Sequence, residues 1–137
     1  MGRKTETYVD TSGLIAFADR SDTYHALFRS LFSDPPQLMT TTLVVAEGHG
    51  WFLKRYDRTR ALQFAALIEA LTPLRVAAVG PDEQAAGIRI LRKFSDQDLS
   101  LADAVGLHVM QIHRTRECWS TDRHLGLTGV PLVTDEH

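Results

Sequence analysis

Short runs of strand-forming residues alternate with helical runs along the whole chain. The predicted strands are Thr7–Asp10, Gln37–Thr40, Leu74–Val79, Glu117–Ser120 and Val130–Val133. Strands separated by helices of this length pair in parallel, and the helices cover both faces of the sheet. The pattern therefore predicts an α/β fold, a three-layer α/β/α sandwich with a five-stranded parallel sheet. With 137 residues and no repeat or linker, one domain spanning 1–137 is expected.

Six helical runs are predicted between and after these strands, and some of them have capping residue types at their start. The predicted runs are Leu14–Ala18, Tyr24–Phe32, Leu43–Arg55, Asp57–Leu71, Pro81–Phe94 and Leu101–Thr115. Thr41 or Thr42, Asp57 and Ser100 are suited to cap three of them, because their side-chain oxygens accept bonds from unpaired backbone N–H groups.

Several protein classes are disfavoured by the composition. Apolar runs reach only five residues, whereas a membrane span needs about 20. The segment from Met1 to Asp10 is polar, so no signal peptide is expected. The one cysteine, Cys118, cannot form an internal disulfide and is expected in the core, which favours a cytoplasmic location.

Four acidic residues fall where the carboxyl ends of parallel strands meet, which is where such sheets form their sites. These four acids are Asp10, Glu47, Asp103 and Asp122. Carboxylates this close repel one another unless a cation lies between them, and Mg²⁺ or Mn²⁺ prefers oxygen ligands. Such ions activate water and stabilise the charges of phosphoryl displacement. Phosphodiester hydrolysis is the chemistry that fits.

Three of these acids also have a purely structural interpretation. Asp10 could form a turn with the Ser-Gly that follows it. Ser100 and Asp103 have the spacing of a capping box, and Asp122 could form a surface pair with Arg123. Taken singly, each structural interpretation competes with a ligand role, and only the convergence of all four acids favours a metal site.

Glu47 is harder to explain structurally. It lies in an apolar stretch from Leu43 to Phe52, where a buried carboxylate would need a partner. No Lys or Arg stands three or four residues away to provide one. We therefore expect Glu47 to be buried and to face the other acids.

The net charge depends on these acids. The chain has 15 Lys and Arg against 17 Asp and Glu, a formal charge of −2, which by itself argues against nucleic-acid binding. If the four acids hold metal, 13 acidic and 15 basic residues remain, and the formal charge of the remaining surface is +2. Most of the bases are Arg, whose planar fork suits phosphate. The corrected balance is compatible with nucleic-acid binding.

The four acids lie in four short segments. The segments are Tyr8–Ser12, Thr42–Glu47, Asp98–Ala104 and Ser120–Leu125, with Gly129 soon after. In this order and at this spacing they resemble the PIN-domain ribonucleases, and within them the VapC-like toxins of toxin–antitoxin systems. The resemblance implies cleavage of RNA, of the tRNA or rRNA class, with Mg²⁺ or Mn²⁺ as cofactor and 5′-phosphate and 3′-hydroxyl products. It also implies a homodimer and a VapB-like antitoxin that blocks the site.

The resemblance also assigns roles by position. The implied catalytic, metal-binding acids are Asp10, Glu47, Asp103 and Asp122. Ser12 and Ser120 would be hydroxyls that orient carboxylates or water. Asp98 is either an outer fifth acid or a turn residue before the Ser100 cap. The family often has Phe where Leu125 stands, a difference that concerns packing more than chemistry.

Basic and aromatic residues near the predicted edge have two interpretations each. Arg123, Lys54 and Arg55 could contact RNA, or they could be solvated surface or antitoxin contacts. His124 could contact the scissile phosphate or form a local hydrogen bond in its turn. Trp51 could stack on a base, although core or dimer packing is more common for such a residue.

Three competing functions remain open from the sequence. One is a PIN-fold RNA-processing nuclease outside a toxin–antitoxin system, and another is a non-catalytic PIN module that binds RNA or an antitoxin. A phosphatase with Asp10 as nucleophile is disfavoured, because aspartyl phosphatases place a second Asp two residues later, where this chain has Ser12.

Overall fold

Strands and helices alternate in the computed structural model, which describes residues 5–136; residues 1–4 and 137 of the predicted domain lie outside this range. The strands are β1 Thr7–Val9, β2 Leu38–Thr41, β3 Leu74–Ala77 and β4 Cys118–Trp119. The helices are α1 Thr11–Ala18, α2 His25–Leu31, α3 Thr42–Arg55, α4 Arg58–Ala70, α5 Pro81–Lys93 and α6 Leu101–Ile112. Two 3₁₀ helices, Arg123–Gly126 and Val133–Glu136, follow β4. None of the described helices is both long and apolar enough to cross a membrane.

All strand pairs are parallel, in the order β3-β2-β1-β4. The parallel sheet is as predicted, but the expectation of five strands is wrong for the described residues. The segment Val130–Val133 makes only one bridge, in which the Cys118 N–H donates to the Pro131 carbonyl at 2.9 Å. Pro131 faces β4 but has no N–H to donate to it, and the chain enters the 3₁₀ helix Val133–Glu136 directly after Leu132. The ladder therefore cannot extend.

The core lies on both faces of the central strands. Tyr8 and Val9 point to opposite faces of β1, and both are fully buried. Helices therefore cover the sheet on both sides, as the predicted layers require. Cys118 in β4 is also fully buried, which confirms its expected place in the core.

The predicted N-caps position the helices at the carboxyl edge of the sheet. Side-chain oxygens of Thr41, Asp57 and Ser100 accept backbone N–H bonds at the starts of α3, α4 and α6, as expected. Helix α1 begins at Thr11, earlier than the predicted apolar run, because Asp10 caps it. Asp10 therefore lies at the junction where β1 ends and α1 begins.

Candidate metal centre

Three aspartates from distant parts of the chain meet at the carboxyl edge of the sheet. Asp10, Asp103 and Asp122 each offer a carboxylate oxygen, and these oxygens lie within 4.8 Å of one another. The first follows β1, the second lies in the first turn of α6, and the third follows β4 by three residues. We call these three residues the aspartate cluster.

Asp10 is the most buried member of the cluster, with 2% of its surface exposed. Its Oδ2 accepts hydrogen bonds from the hydroxyls of Ser12 at 3.0 Å and Ser120 at 3.1 Å. Its Oδ1 is buried, and no described residue donates a hydrogen bond to it. A buried carboxylate oxygen without a donor is costly, and a hard cation would satisfy it. The residues present therefore fit a divalent metal ion.

Burial and mutual repulsion raise the pKa values of the cluster. Burial, with the nearby charge of Asp103, raises the pKa of Asp10 from 3.8 to about 6, against the opposing hydrogen bond from Ser12. Burial also raises the pKa of Asp103, and the charges of Asp122 and Glu47 add to that effect. Such a concentration of carboxylates favours either protonation or a bound cation.

This raised pKa predicts a pH dependence of stability in the metal-free protein. Between pH 3.8 and about 6, the folded state binds the Asp10 proton more tightly than the unfolded chain does. The free energy of unfolding should therefore fall as pH rises through this window, by at most about 3 kcal/mol from Asp10. Urea denaturation in EDTA, repeated from pH 4 to 7, would measure this fall. In Asp10→Asn it should be smaller, and identical pH profiles for the two proteins would contradict the assignment.

Asp103 has both of the roles that the sequence left open. The Ser100 N–H donates to Asp103 Oδ2 at 3.1 Å, and the Asp103 N–H donates to Ser100 Oγ at 3.1 Å. This is the capping box that the spacing indicated, and its carboxylate still belongs to the aspartate cluster. The start of α6 suits the charge, because the helix dipole is positive there.

Asp122 is held by the residue two positions later. Its Oδ1 accepts the His124 N–H at 3.0 Å and lies 2.8 Å from His124 Nδ1. His124 therefore makes the local hydrogen bond that was one of its two predicted roles. This contact restrains the Asp122 carboxylate at the side of the cluster formed by β4.

Glu47 is exposed, so the expectation that it is buried is wrong. The buried stripe of α3 consists of Val44, Gly48 and Phe52, and Glu47 lies beside this stripe. It is not among the three residues whose oxygens meet in the aspartate cluster. The Thr11 hydroxyl donates to Glu47 Oε1 at 2.6 Å, which ties this carboxylate to the residue after Asp10. Thr11 was not among the predicted site residues, although its position next to Asp10 was the available signal.

The two predicted serines lie next to Asp10 and contact each other. Ser12 Oγ lies 3.0 Å from Ser120 Oγ and accepts the Thr121 N–H at 2.9 Å. They therefore link the start of α1 to the end of β4 and fix the orientation of Asp10. Asp98 is exposed in the segment before the Ser100 cap and lies outside the aspartate cluster, a position that suits its alternative role as a turn residue.

Two recesses contain the predicted basic residues, one that includes Asp122 of the cluster and one in the C-terminal half of α3. The first has a volume of about 530 Å³ and is lined by Gln97, Thr121, Asp122, Arg123, His124 and Leu127. We call it the Arg123 recess. Gln97 was not among the predicted site residues. The second, about 340 Å³, is lined by Trp51, Lys54 and Arg55. Since β1 lies between β2 and β4, α3 and the Arg123 recess flank Asp10.

Comparison with known proteins places the chain in a family. The sequence profile of the PIN domain matches residues 7–128. The chain belongs to the PIN domain family. This PIN protein is 29% identical over 131 residues to the 23S rRNA-specific endonuclease VapC20 of Mycobacterium tuberculosis. The aligned region covers 94% of this chain and 98% of VapC20.

Solved structures agree with this assignment. The crystal structure of M. tuberculosis VapC20, described as a sarcin-ricin loop cleaving toxin, has a TM-score of 0.83 and 25% identity, and covers 91% of this PIN protein and 96% of that chain. A toxin–antitoxin complex from Klebsiella pneumoniae shares the fold, with a TM-score of 0.61, 22% identity and coverage of 93% and 96%. The resemblance to VapC-like PIN proteins that the sequence indicated is confirmed.

Proposed function

We propose that this PIN protein is a metal-dependent endoribonuclease and the toxin of a toxin–antitoxin pair. The observation that carries the proposal is the buried Asp10 Oδ1, to which no described residue donates a hydrogen bond, in a carboxylate that lies beside two further aspartates. The likeness to a 23S rRNA-specific endonuclease supports RNA as the substrate, with the ribosomal class as the first to test.

The proposed ion is Mg²⁺ or Mn²⁺, and Asp10, Asp103 and Asp122 would hold it. When bound, such an ion lowers the pKa of water and neutralises the charge on phosphate oxygens. Glu47 is proposed as the fourth acid of the site, because Thr11 holds its carboxylate beside the cluster and its charge acts on Asp103.

Neighbouring side chains keep these carboxylates in position. The hydroxyls of Ser12 and Ser120 both donate to Asp10 Oδ2 and leave Oδ1 available. His124 restrains Asp122 in the same way through one oxygen. Preorganisation of this kind matters because charged groups that are already fixed need no reordering during the reaction.

Cationic side chains on both sides of the cluster would contact the RNA backbone. Arg123 lines the recess next to Asp122, and Lys54 with Arg55 lines the recess on α3. Contacts of this kind supply affinity that does not depend on sequence and weakens as salt increases. We propose products with 5′-phosphate and 3′-hydroxyl ends, as is usual in this family.

The proposed partners are a VapB-like antitoxin and a second copy of this chain. The shared fold of the Klebsiella pneumoniae toxin–antitoxin complex supports the first. Exposed apolar side chains on α3 and α4, Leu53 and Leu62, support an interface of some kind on these helices. The proposed location is the cytoplasm, in keeping with a lone buried cysteine, Cys118.

Removal of divalent metal should abolish cleavage. We expect the purified protein to cut ribosomal RNA in Mn²⁺, to lose activity in excess EDTA and to regain it when Mn²⁺ is restored, because the aspartate cluster would supply the ligands. Gel analysis with mapping of the cut ends measures this, and the ends should carry 5′-phosphate. Cleavage that persists in excess EDTA would contradict a metal mechanism, and no cleavage in any metal would favour a non-catalytic PIN module.

A further inference from the structure

Trp51 and Phe52 are neighbours in sequence but lie in different surroundings. Phe52 is 1% exposed and stacks on Phe64 with ring centroids 5.2 Å apart. Trp51 is partly exposed, with its ring packed edge to face against Phe52 at 4.9 Å and Tyr56 at 6.1 Å. These contacts hold the indole in place while part of its surface remains open. A fixed, open aromatic surface loses little side-chain entropy when a ligand stacks on it.

Trp51 also lies on a line that begins at the aspartate cluster. Glu47, Trp51 and Lys54 are spaced i, i+4 and i+7 on α3 and so share one side of the helix, with Arg55 next to them. We call these four residues the Trp51 strip. Trp51 is about 6 Å along the helix axis from Glu47, and Arg55 is about 12 Å from it. Because Thr11 ties Glu47 to the residue after Asp10, the strip starts where a scissile phosphate would bind.

The chemistry of the strip matches that of single-stranded RNA. Trp51, Lys54 and Arg55 surround one recess of about 340 Å³. Proteins that bind single strands combine aromatic rings, on which bases stack, with cations that follow the phosphates. Lys54 and Arg55 are both exposed and therefore available for such contacts.

We propose that Trp51 stacks on an unpaired base of the RNA substrate close to the cleaved bond, while Lys54 and Arg55 contact the adjacent phosphates. This inference rests on the proposed function and defines its substrate class as RNA with exposed bases, such as a loop. A base inside a duplex cannot bind in this way, because its neighbours cover both of its faces. The RNA strand would then cross Asp10 towards the Arg123 recess on the other side.

A protein partner is a competing occupant of the Trp51 strip, since an acidic peptide could also contact its two cations. RNA is favoured because the strip is continuous with the residues proposed to cleave it, whereas nothing about the strip requires a peptide to reach the aspartate cluster. The two occupants predict different results in the experiment below.

The protein itself contains the probe for a binding test. It has two tryptophans, and Trp119 is 3% exposed in the core, so a stacked base should quench mainly Trp51. We expect a single-stranded RNA oligonucleotide to quench emission in the Asp10→Asn background, where cleavage does not interfere, and the same RNA annealed to its complement to quench far less. Replacement of Trp51 by Phe should remove the quenching and retain most of the affinity, because Phe can still stack.

Removal of the ring gives the quantitative test. Fluorescence anisotropy with labelled RNA should show Trp51→Ala binding about five- to a hundredfold more weakly. Ile112→Ala is the matched control, because Ile112 is an apolar side chain, 61% exposed, in the last turn of α6, at the end of the helix away from the aspartate cluster. Its affinity should not change. Equal affinities of the Trp51→Ala and Ile112→Ala proteins, or no quenching by single-stranded RNA, would overturn the proposal. Should Trp51→Ala fail to fold, the Phe variant and the quenching measurement decide the matter.

Three further outcomes distinguish this inference from a protein interface and from the proposed function. A change of molecular mass in Trp51→Ala, measured by light scattering while RNA affinity is unchanged, would assign the strip to a protein interface and overturn the proposal. If the wild-type protein cuts no RNA, while single-stranded RNA still quenches Trp51 and Trp51→Ala binds that RNA more weakly, the nuclease function is rejected and RNA stacking is supported. Metal-dependent cleavage with unchanged RNA binding by Trp51→Ala would reject the stacking role alone.

Discussion

Asp10→Asn should lower the rate of RNA cleavage by roughly a thousandfold or more, because a divalent ion supplies several kcal/mol of transition-state stabilisation. The amide keeps the size of the side chain and can still accept hydrogen bonds from Ser12 and Ser120. The amide lacks the negative charge that attracts the cation. In the native residue, Oδ1 is the oxygen to which no described residue donates a hydrogen bond. Initial rates on one RNA in Mn²⁺ would measure the loss.

Metal binding provides an independent readout of the same substitution. At a Mg²⁺ concentration about a hundredfold above its Kd, the wild-type protein should gain about 2.7 kcal/mol of stability, and Asp10→Asn should gain much less. Asp34→Asn is a matched control, because Asp34 is exposed and precedes β2 at the opposite edge of the sheet. Undiminished cleavage by Asp10→Asn would rule out the proposed mechanism.

Gly13→Ala should damage both stability and activity, because α1 lies unusually close to β4 at this position. An added Cβ would lie 2.5 Å from the Trp119 carbonyl oxygen and 2.9 Å from the Phe28 ring. The helix and the strand must then separate, at a cost of about 1–3 kcal/mol. We expect the thermal midpoint to fall by roughly 5–10 °C. Ser120 directly follows Trp119, so the shift also moves a donor that orients Asp10.

The loss of activity should exceed what the lower stability explains. Misplacement of a reacting group by about 1 Å can reduce a rate by roughly a hundredfold, so cleavage should fall well below wild type even far below the thermal midpoint. Gly50→Ala in α3 is the matched control, since a Cβ there meets no atom within 4 Å. It should be neutral or slightly stabilising, because Ala favours helix more than Gly does. A Gly13→Ala protein with wild-type stability and rate would show that the close approach is unimportant.

The convergence at the sheet edge was accessible from the sequence because it follows from topology. Asp10 and Asp122 follow parallel strands, and Asp103 begins a helix that starts at the same edge, so any fold with this order brings them together. The absence of a fifth strand among the described residues was not accessible in the same way. Pro131 lacks the backbone donor that a ladder at 130–133 would need, and the chain turns into a 3₁₀ helix at Val133, neither of which a run of apolar residues reveals.

The sequence by itself determined the order of strands and helices, the caps of α3, α4 and α6, and three acids at one edge, because these depend on local preference and chain direction. Tertiary structure decided which side chains are buried and which of their polar atoms have hydrogen-bond partners. Only packing shows that Glu47 is exposed while Asp10 Oδ1 is buried without a donor, and that Phe52 is enclosed while Trp51 stays partly open. The physical reason is that burial and hydrogen bonding depend on residues brought close by folding, which neighbouring positions in the chain do not specify.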